Sequence, residues 1–143
     1  FDYVFETENR YPGAPSVKTI EVINNQPFVL GGKTVIPIDV MYGDLQVIGY
    51  RLDDIANLTN VKTVASEEVK KKKNLEVLVL NALRITPHNT HFNLQEALDF
   101  IALVQPKKAY LTHISHLLGF HEDVQKELPE NVFLAYDNLV ITL

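Results

Sequence analysis

The sequence has no cysteine in its 143 residues. That excludes disulfides, iron–sulfur clusters, thiolate zinc sites and a cysteine nucleophile, and it leaves the redox compartment open. Positive charge is not in excess either. Thirteen Lys and Arg face 18 Asp and Glu, giving a net charge of -5 and a pI near 5.5. Duplex-DNA binders that work by bulk charge are usually basic, so no duplex-DNA partner is expected. No apolar run approaches the roughly 18 residues of a membrane span, so no membrane association is expected. The N-terminus, Phe1-Asp2-Tyr3-Val4-Phe5, lacks a basic start and a signal cleavage pattern, and no initiator Met is present. The expectation is a chain that begins inside a longer gene product, with a cytoplasmic location as the default. Neither a G-x-S-x-G elbow nor a phosphate-binding G-x-x-x-x-G-K-[ST] loop occurs.

Hydrophobic residues make up 46% and charged residues 22%, as in an ordinary soluble domain. A single domain over residues 1–143 is predicted, in three stretches. Residues 1–15, with Tyr11-Pro12-Gly13-Ala14-Pro15, read as a peripheral loop. Residues 16–64 read as antiparallel strands. These are an alternating 17–22, then Pro27–Leu30, Lys33–Tyr42, Leu45–Leu52 and Ile55–Leu58, with turns at Gly31-Gly32, Gly43-Asp44 and Asp53-Asp54. Residues 65–143 read as alternating strands and helices. Ser66 is a candidate N-cap for a helix ending in Lys70–Lys73, a solvated end more readily than an anion patch. Leu75–Leu80 and Lys108–Thr112 read as strands buried on both faces. Leu94–Val104 reads as a helix with Asn93 and Glu96 as a capping box. A helix is expected over Phe120–Leu128, then a terminal hairpin, 132–136 with 139–143, around a type I′ turn at Asp137-Asn138. The class is layered α/β, with helices on at least one sheet face.

All five histidines, His88, His91, His113, His116 and His121, lie between residues 88 and 121. Histidine is the commonest transition-metal ligand and the usual acid–base group near neutral pH. His113 and His116 follow one predicted strand, and His88 and His91 follow another and precede a helix. Residues just past the C-terminal ends of buried strands sit where α/β folds place their sites. The bland alternative is a set of surface histidines that cap helices, and His121 is expected to be one. Arg84 could hold a phosphate or carboxylate bidentately, or pair with a nearby acid.

Three stretches carry a family resemblance: Pro87-His88-Asn89-Thr90-His91-Phe92-Asn93-Leu94-Gln95-Glu96-Ala97-Leu98, Tyr110-Leu111-Thr112-His113-Ile114-Ser115-His116, and Leu134-Ala135-Tyr136-Asp137. Val40-Met41-Tyr42-Gly43, Gly49-Tyr50-Arg51 and Leu58-Thr59-Asn60-Val61-Lys62-Thr63 extend it. Together they resemble the C-terminal half of the metallo-β-lactamase superfamily. Within it they are similar to the cyclic-phosphate phosphodiesterases of the carbon–phosphorus lyase pathway.

The resemblance implies an αβ/βα sandwich with two divalent metals, Mn or Zn, at one sheet edge, acting on a small phosphate ester through a metal-activated water. It implies a terminal metal ligand at His113, with His116 beside it, and a catalytic role near the leaving group or phosphate for His91. His88 is expected to support this site on the substrate side, where Arg84 is also a candidate from its chemistry alone. The family's H-x-H-x-D-H motif is absent and is expected upstream of Phe1. Tyr42 stands where the family has a histidine ligand, and Asn60 where it has a bridging aspartate. Three readings follow from these substitutions: an incomplete part of a metal-dependent hydrolase, a degenerate binding module, or a rearranged site in which the remaining histidines hold a single metal. A half-sandwich would expose a sheet face, so self-association or pairing with the missing half is expected.

Overall fold

A computed structural model describes Phe5, Gly13, residues 17–70 and residues 74–142. Among these residues one mixed sheet of seven strands runs in chain order: β1 (Phe28–Leu30), β2 (Lys33–Tyr42), β3 (Leu45–Leu52), β4 (Ile55–Leu58), β5 (Val77–Asn81), β6 (Lys108–Thr112) and β7 (Val132–Leu134). β1 to β4 are an antiparallel meander, and β4 to β7 are parallel. The chain is therefore α/β. Helices α1 (Ser66–Val69), α2 (Leu94–Val104) and α3 (His121–Glu127) lie in the crossovers between the parallel strands.

Tight turns set the meander. At the β1–β2 tip Gly31 and Gly32 both have positive φ, 57° and 79°, the pair of values a two-residue type I′ hairpin requires. Gly49 is fixed by crowding instead. A Cβ there would lie 2.3 Å from Leu58 Cδ2 and 3.0 Å from Asn57 O. The sheet core passes over this position, and a side chain has no room.

The core lies on the helix-covered face. Ile38, Val40, Leu58, Leu78, Leu80, Leu111, Val132 and Leu134 point into it and are almost fully buried. Helix α2 packs Ala97, Phe100, Ile101 and Val104 against them. Its start is set by the expected capping box: Glu96 N–H donates to Asn93 Oδ1 at 2.8 Å, and Asn93 N–H to Glu96 Oε2 at 2.9 Å. Its end is a left-handed Gln105, just before Pro106. The strand register places Tyr50, Leu52, Val79, Tyr110 and Phe133 on the opposite face. Tyr50 and Leu52 there are exposed, and Tyr110 stacks on Phe133 at 5.4 Å.

Five expectations need correction. Residues 17–23 form no ladder. Their apolar alternation is real, but Val17, Ile20 and Ile23 stay exposed, so nothing rewards a strand there. Helix α1 starts from Ala65, whose carbonyl accepts from Glu68 and Val69, so Ser66 is inside the helix and Ala65 is the cap. The β5 ladder is shifted to 77–81, ending on the polar Asn81. β6 alternates, with Lys108 exposed and Tyr110 and Thr112 half-buried, so it is covered fully on one face only.

The fifth correction is the terminal hairpin. Residues 139–142 form no strand. Gln125 of α3 occupies the outer edge of β7, donating to Val132 O at 3.0 Å and accepting from Leu134 N at 2.7 Å. The groups a hairpin partner would bond are already satisfied, which also blunts the sheet edge. Asn138 has positive φ but Asp137 does not, so the turn there is not type I′. The 1–15 loop (Phe5 and Gly13 aside), the Lys71–Lys73 helix end and Leu143 lie outside the described residues. Among the described residues no helix is long and apolar enough to cross a membrane.

Candidate metal centre at the sheet edge

The loops that leave β4, β5 and β6 emerge on one edge of the sheet, as parallel strands dictate. Backbone hydrogen bonds draw them together. Phe92 N donates to Val61 O at 2.7 Å, Leu83 N to Phe92 O at 3.0 Å, Ala82 N to Thr112 O at 3.1 Å and Ser115 N to Leu83 O at 2.9 Å. The end of β2 joins them, because Met41 N donates to Thr63 O at 2.9 Å and Lys62 N to Met41 O at 2.7 Å. Five of the side chains singled out in the sequence meet as a result: Tyr42, Asn60, His88, His91 and His113.

His91 is the hub. It is buried, 6% exposed, just ahead of α2. The His113 ring stacks on it at 4.7 Å, the Tyr42 ring meets it edge-on at 4.8 Å, and the His88 ring is tilted against it at 5.2 Å. Its Nε2 donates to Asn60 Oδ1 at 3.2 Å, since a carbonyl oxygen can only accept. Its Nδ1 lies 3.0 Å from Thr90 Oγ1. Burial holds the His91 imidazole below its ordinary pKa, and the neighbouring His113 and His88 push the same way. A charged imidazolium is disfavoured at that spot.

Asn60 and His113 each follow a strand in the left-handed conformation, with φ of 60° and 54°. Asn and His are among the side chains that tolerate it best, and strain of this kind gathers at functional sites. Their loops are pinned. Asn81, fully buried at the end of β5, accepts from Val61 N at 2.8 Å and donates to Val61 O at 3.1 Å. Sequence reasoning missed Asn81 and Thr90. The signal for Asn81 was a lone polar residue closing an apolar run.

The other candidates are placed elsewhere. Arg84 turns back on its own loop, donating to Thr86 O at 3.2 Å and Pro87 O at 2.5 Å. His116 opens an exposed 3-10 turn capped by Ser115. His121 is exposed, and its Nε2 donates to Leu134 O at 3.3 Å.

Sequence and structure comparisons identify the family and the fold. A family profile described as "Beta-lactamase superfamily domain" matches residues 1–114. The chain belongs to this superfamily, on its metallo-β-lactamase side. A solved diphosphatase of the PhnP family is 32% identical with a TM-score of 0.82, over 85% of this chain and 47% of that one. Human tRNase Z, short form, is 21% identical with a TM-score of 0.63, over 80% of this chain and 45% of that one. The latter likeness bears on the fold alone. Among curated proteins, a Porphyromonas gingivalis "Octanoyltransferase" is 35% identical over 138 residues, 96% of this chain and 28% of that protein. The chain thus spans about half of the solved diphosphatase and just over a quarter of the curated relative. Within the superfamily it resembles the PhnP group.

Hydrolases of this fold typically bind divalent metals such as Zn or Mn, and the residues here do not complete such a centre. Among the described residues no three His, Asp or Glu side chains gather in a metal-holding group. Asn60 brings a neutral amide whose oxygen already receives the His91 proton. Tyr42 brings a ring edge against His91. A bridge between two dications needs the negative charge that a carboxylate has and an amide lacks. Of the positions implied as ligands, His113 and His116 keep metal-binding side chains on exposed residues, and His113 is the one stacked on His91.

Proposed function

We propose that the complete protein is a hydrolase of phosphodiester bonds in small phosphate esters, cyclic phosphates included. This chain would contribute His113 as a ligand and His91 as the group beside the reacting phosphate. The remaining donors would come from a segment outside it. The observation that carries this reading is the convergence of His91, His113, Asn60 and Tyr42 on one strand edge in a superfamily member. The 32% identity to a diphosphatase supports phosphoryl chemistry over other hydrolyses.

His91 suits its role by position: it is buried, its pKa is pushed down by burial and by its histidine neighbours, and both ring nitrogens are hydrogen-bonded. General acid–base groups work best in such defined tautomers. His88 would line the substrate side beside His91, and Arg84, bonded to Thr86 O and Pro87 O, would act only by shaping the 84–87 turn that leads to His88. His116, three residues past His113 on the turn that follows β6, is the candidate outer ligand. The apolar face around Tyr50, Leu52 and Tyr110 would dock the missing sheet or a second copy.

The test is hydrolysis of bis(p-nitrophenyl) phosphate with Mn or Zn by the complete protein. His113→Ala is expected to lower metal content and activity together. His91→Ala is expected to keep the metal and lower turnover. Full metal content in His113→Ala would overturn the ligand assignment. A second reading, a binding module without chemistry, is favoured by Tyr42 and Asn60, which stand where ligands are implied. Under it, no variant changes a background rate, and phosphate esters still bind.

A further inference from the structure

We propose that His88, His91 and Thr90 form a separate site for a single soft-to-borderline transition cation such as Zn, on the side of His91 that faces away from Asn60. Three atoms define it. His88 Nδ1 and His91 Nδ1 are 3.4 Å apart, and Thr90 Oγ1 is 3.2 Å from the first and 3.0 Å from the second. The nitrogens are closer than the ring centres, 3.4 against 5.2 Å, so each ring presents its Nδ1 edge to the other.

The protons make the arrangement informative. His91 Nε2 must carry the proton that goes to Asn60 Oδ1, so in the neutral ring its Nδ1 is bare. His88 Nδ1 accepts the Thr90 backbone N–H at 3.3 Å, so it is bare as well. Two bare imidazole nitrogens therefore lie side by side, His88's holding only the long Thr90 N–H bond, with one threonine hydroxyl proton for the pair. A cation satisfies both nitrogens, and it replaces a long hydrogen bond at His88.

The spacing fits. Two Zn–N bonds of about 2.0–2.1 Å meeting at the tetrahedral angle put their nitrogens about 3.3–3.4 Å apart. The hydroxyl oxygen closes a near-equilateral triangle, and the fourth position is left to water. Imidazole nitrogens select Zn, Cu or Ni over Mg, Ca or Mn. His88 and Thr90 are half-buried and His91 is buried, so the three donors lie at the boundary of the core. The site shares His91 with the proposed hydrolytic centre but takes its other nitrogen, so it does not require that centre to be complete. A cation there would make the His91 Nε2–H a stronger proton donor toward Asn60.

The experiment is Zn titration of this chain followed by long-range 1H–15N spectra of the histidine rings, with affinity from competition against a chromophoric indicator. The expected result is one Zn, with coordination shifts at Nδ1 of His88 and His91 and none at His113. His88→Ala should weaken binding about tenfold or more, the loss of one of two imidazole ligands. His113→Asn, which keeps a side chain suited to the left-handed backbone, should leave it within about threefold. Shifts at Nε2 or at His113, or equal loss in His88→Ala and His113→Asn, would overturn the proposal. So would no Zn uptake, or Mn bound as tightly as Zn. Because the hydrolase reading turns on His113 and this site on His88, the two fail separately.

Discussion

Replacing Asn81 by alanine tests the packing that assembles the site. Asn81 is fully buried, and its amide holds both polar groups of Val61, the residue after Asn60. In Asn81→Ala, Val61 O keeps a partner, because Phe92 N still donates to it at 2.7 Å. Val61 N loses its acceptor and remains buried. An orphaned buried donor costs about 1–3 kcal/mol, and the second lost hydrogen bond adds about 1 kcal/mol. The expected destabilisation is therefore about 2–4 kcal/mol by urea denaturation. Asn81→Leu restores volume but not the acceptor, so it should stay within about 1 kcal/mol of the alanine variant. Asn81→Asp keeps the acceptor but turns a second oxygen on Val61 O, and should fall in the same range. Under folding conditions the His91 ring signals should also move, since the 59–63 loop carries its Asn60 partner. A loss below about 0.5 kcal/mol in Asn81→Ala, or full rescue by leucine, would refute the reasoning and assign the position to packing alone.

Three further outcomes follow from the same geometry. Gly49→Ala should destabilise by about 1–3 kcal/mol in urea, because its Cβ would meet Leu58 Cδ2 at 2.3 Å, and Leu58→Ala should partly relieve it. Gln125→Ala should free the outer edge of β7, lowering stability by about 1–3 kcal/mol and raising light scattering at high concentration. Glu96 gives a pH signature. Burial pushes its carboxyl up, but hydrogen bonds from Lys62 and the Asn93 N–H, with the Lys62 charge, bring it below the ordinary 4.5. Its contribution is full above that value and is lost as pH falls through the lowered one. The stability gap between the chain and Glu96→Gln should close on acidification and stay constant above pH 6.

Much of this fold was legible because its signals are local. β2, β3, β4, β6 and α2 fall on their predicted boundaries, since hairpin glycines, the Asn93–Glu96 box and Pro106 are short-range devices. The failures are tertiary. Residues 17–22 have the alternation of a strand and no sheet to join. Residues 139–142 lose their place because Gln125, distant in sequence, takes the β7 edge first. The grouping of His88, His91 and His113 was readable from their positions after successive strands. The role of Asn81 was not, because an amide that pins a loop is visible only once the loop is seen beside it. The turned-back Arg84 was likewise beyond reach, since its partners are carbonyls that carry no sequence signature.

The central claim is that Tyr42, Asn60 and His113 stand at the ligand positions of a metallohydrolase centre that this chain leaves incomplete. It is tested most directly by Mn titration of the Tyr42→His, Asn60→Asp double variant, followed by electron paramagnetic resonance. Mn is chosen because the His88–His91 pair disfavours it. The account predicts Mn binding at least about tenfold tighter than in the unaltered chain, and lost again when His113→Ala is added. Equal Mn binding in the double variant and the unaltered chain, or binding that survives His113→Ala, would contradict it.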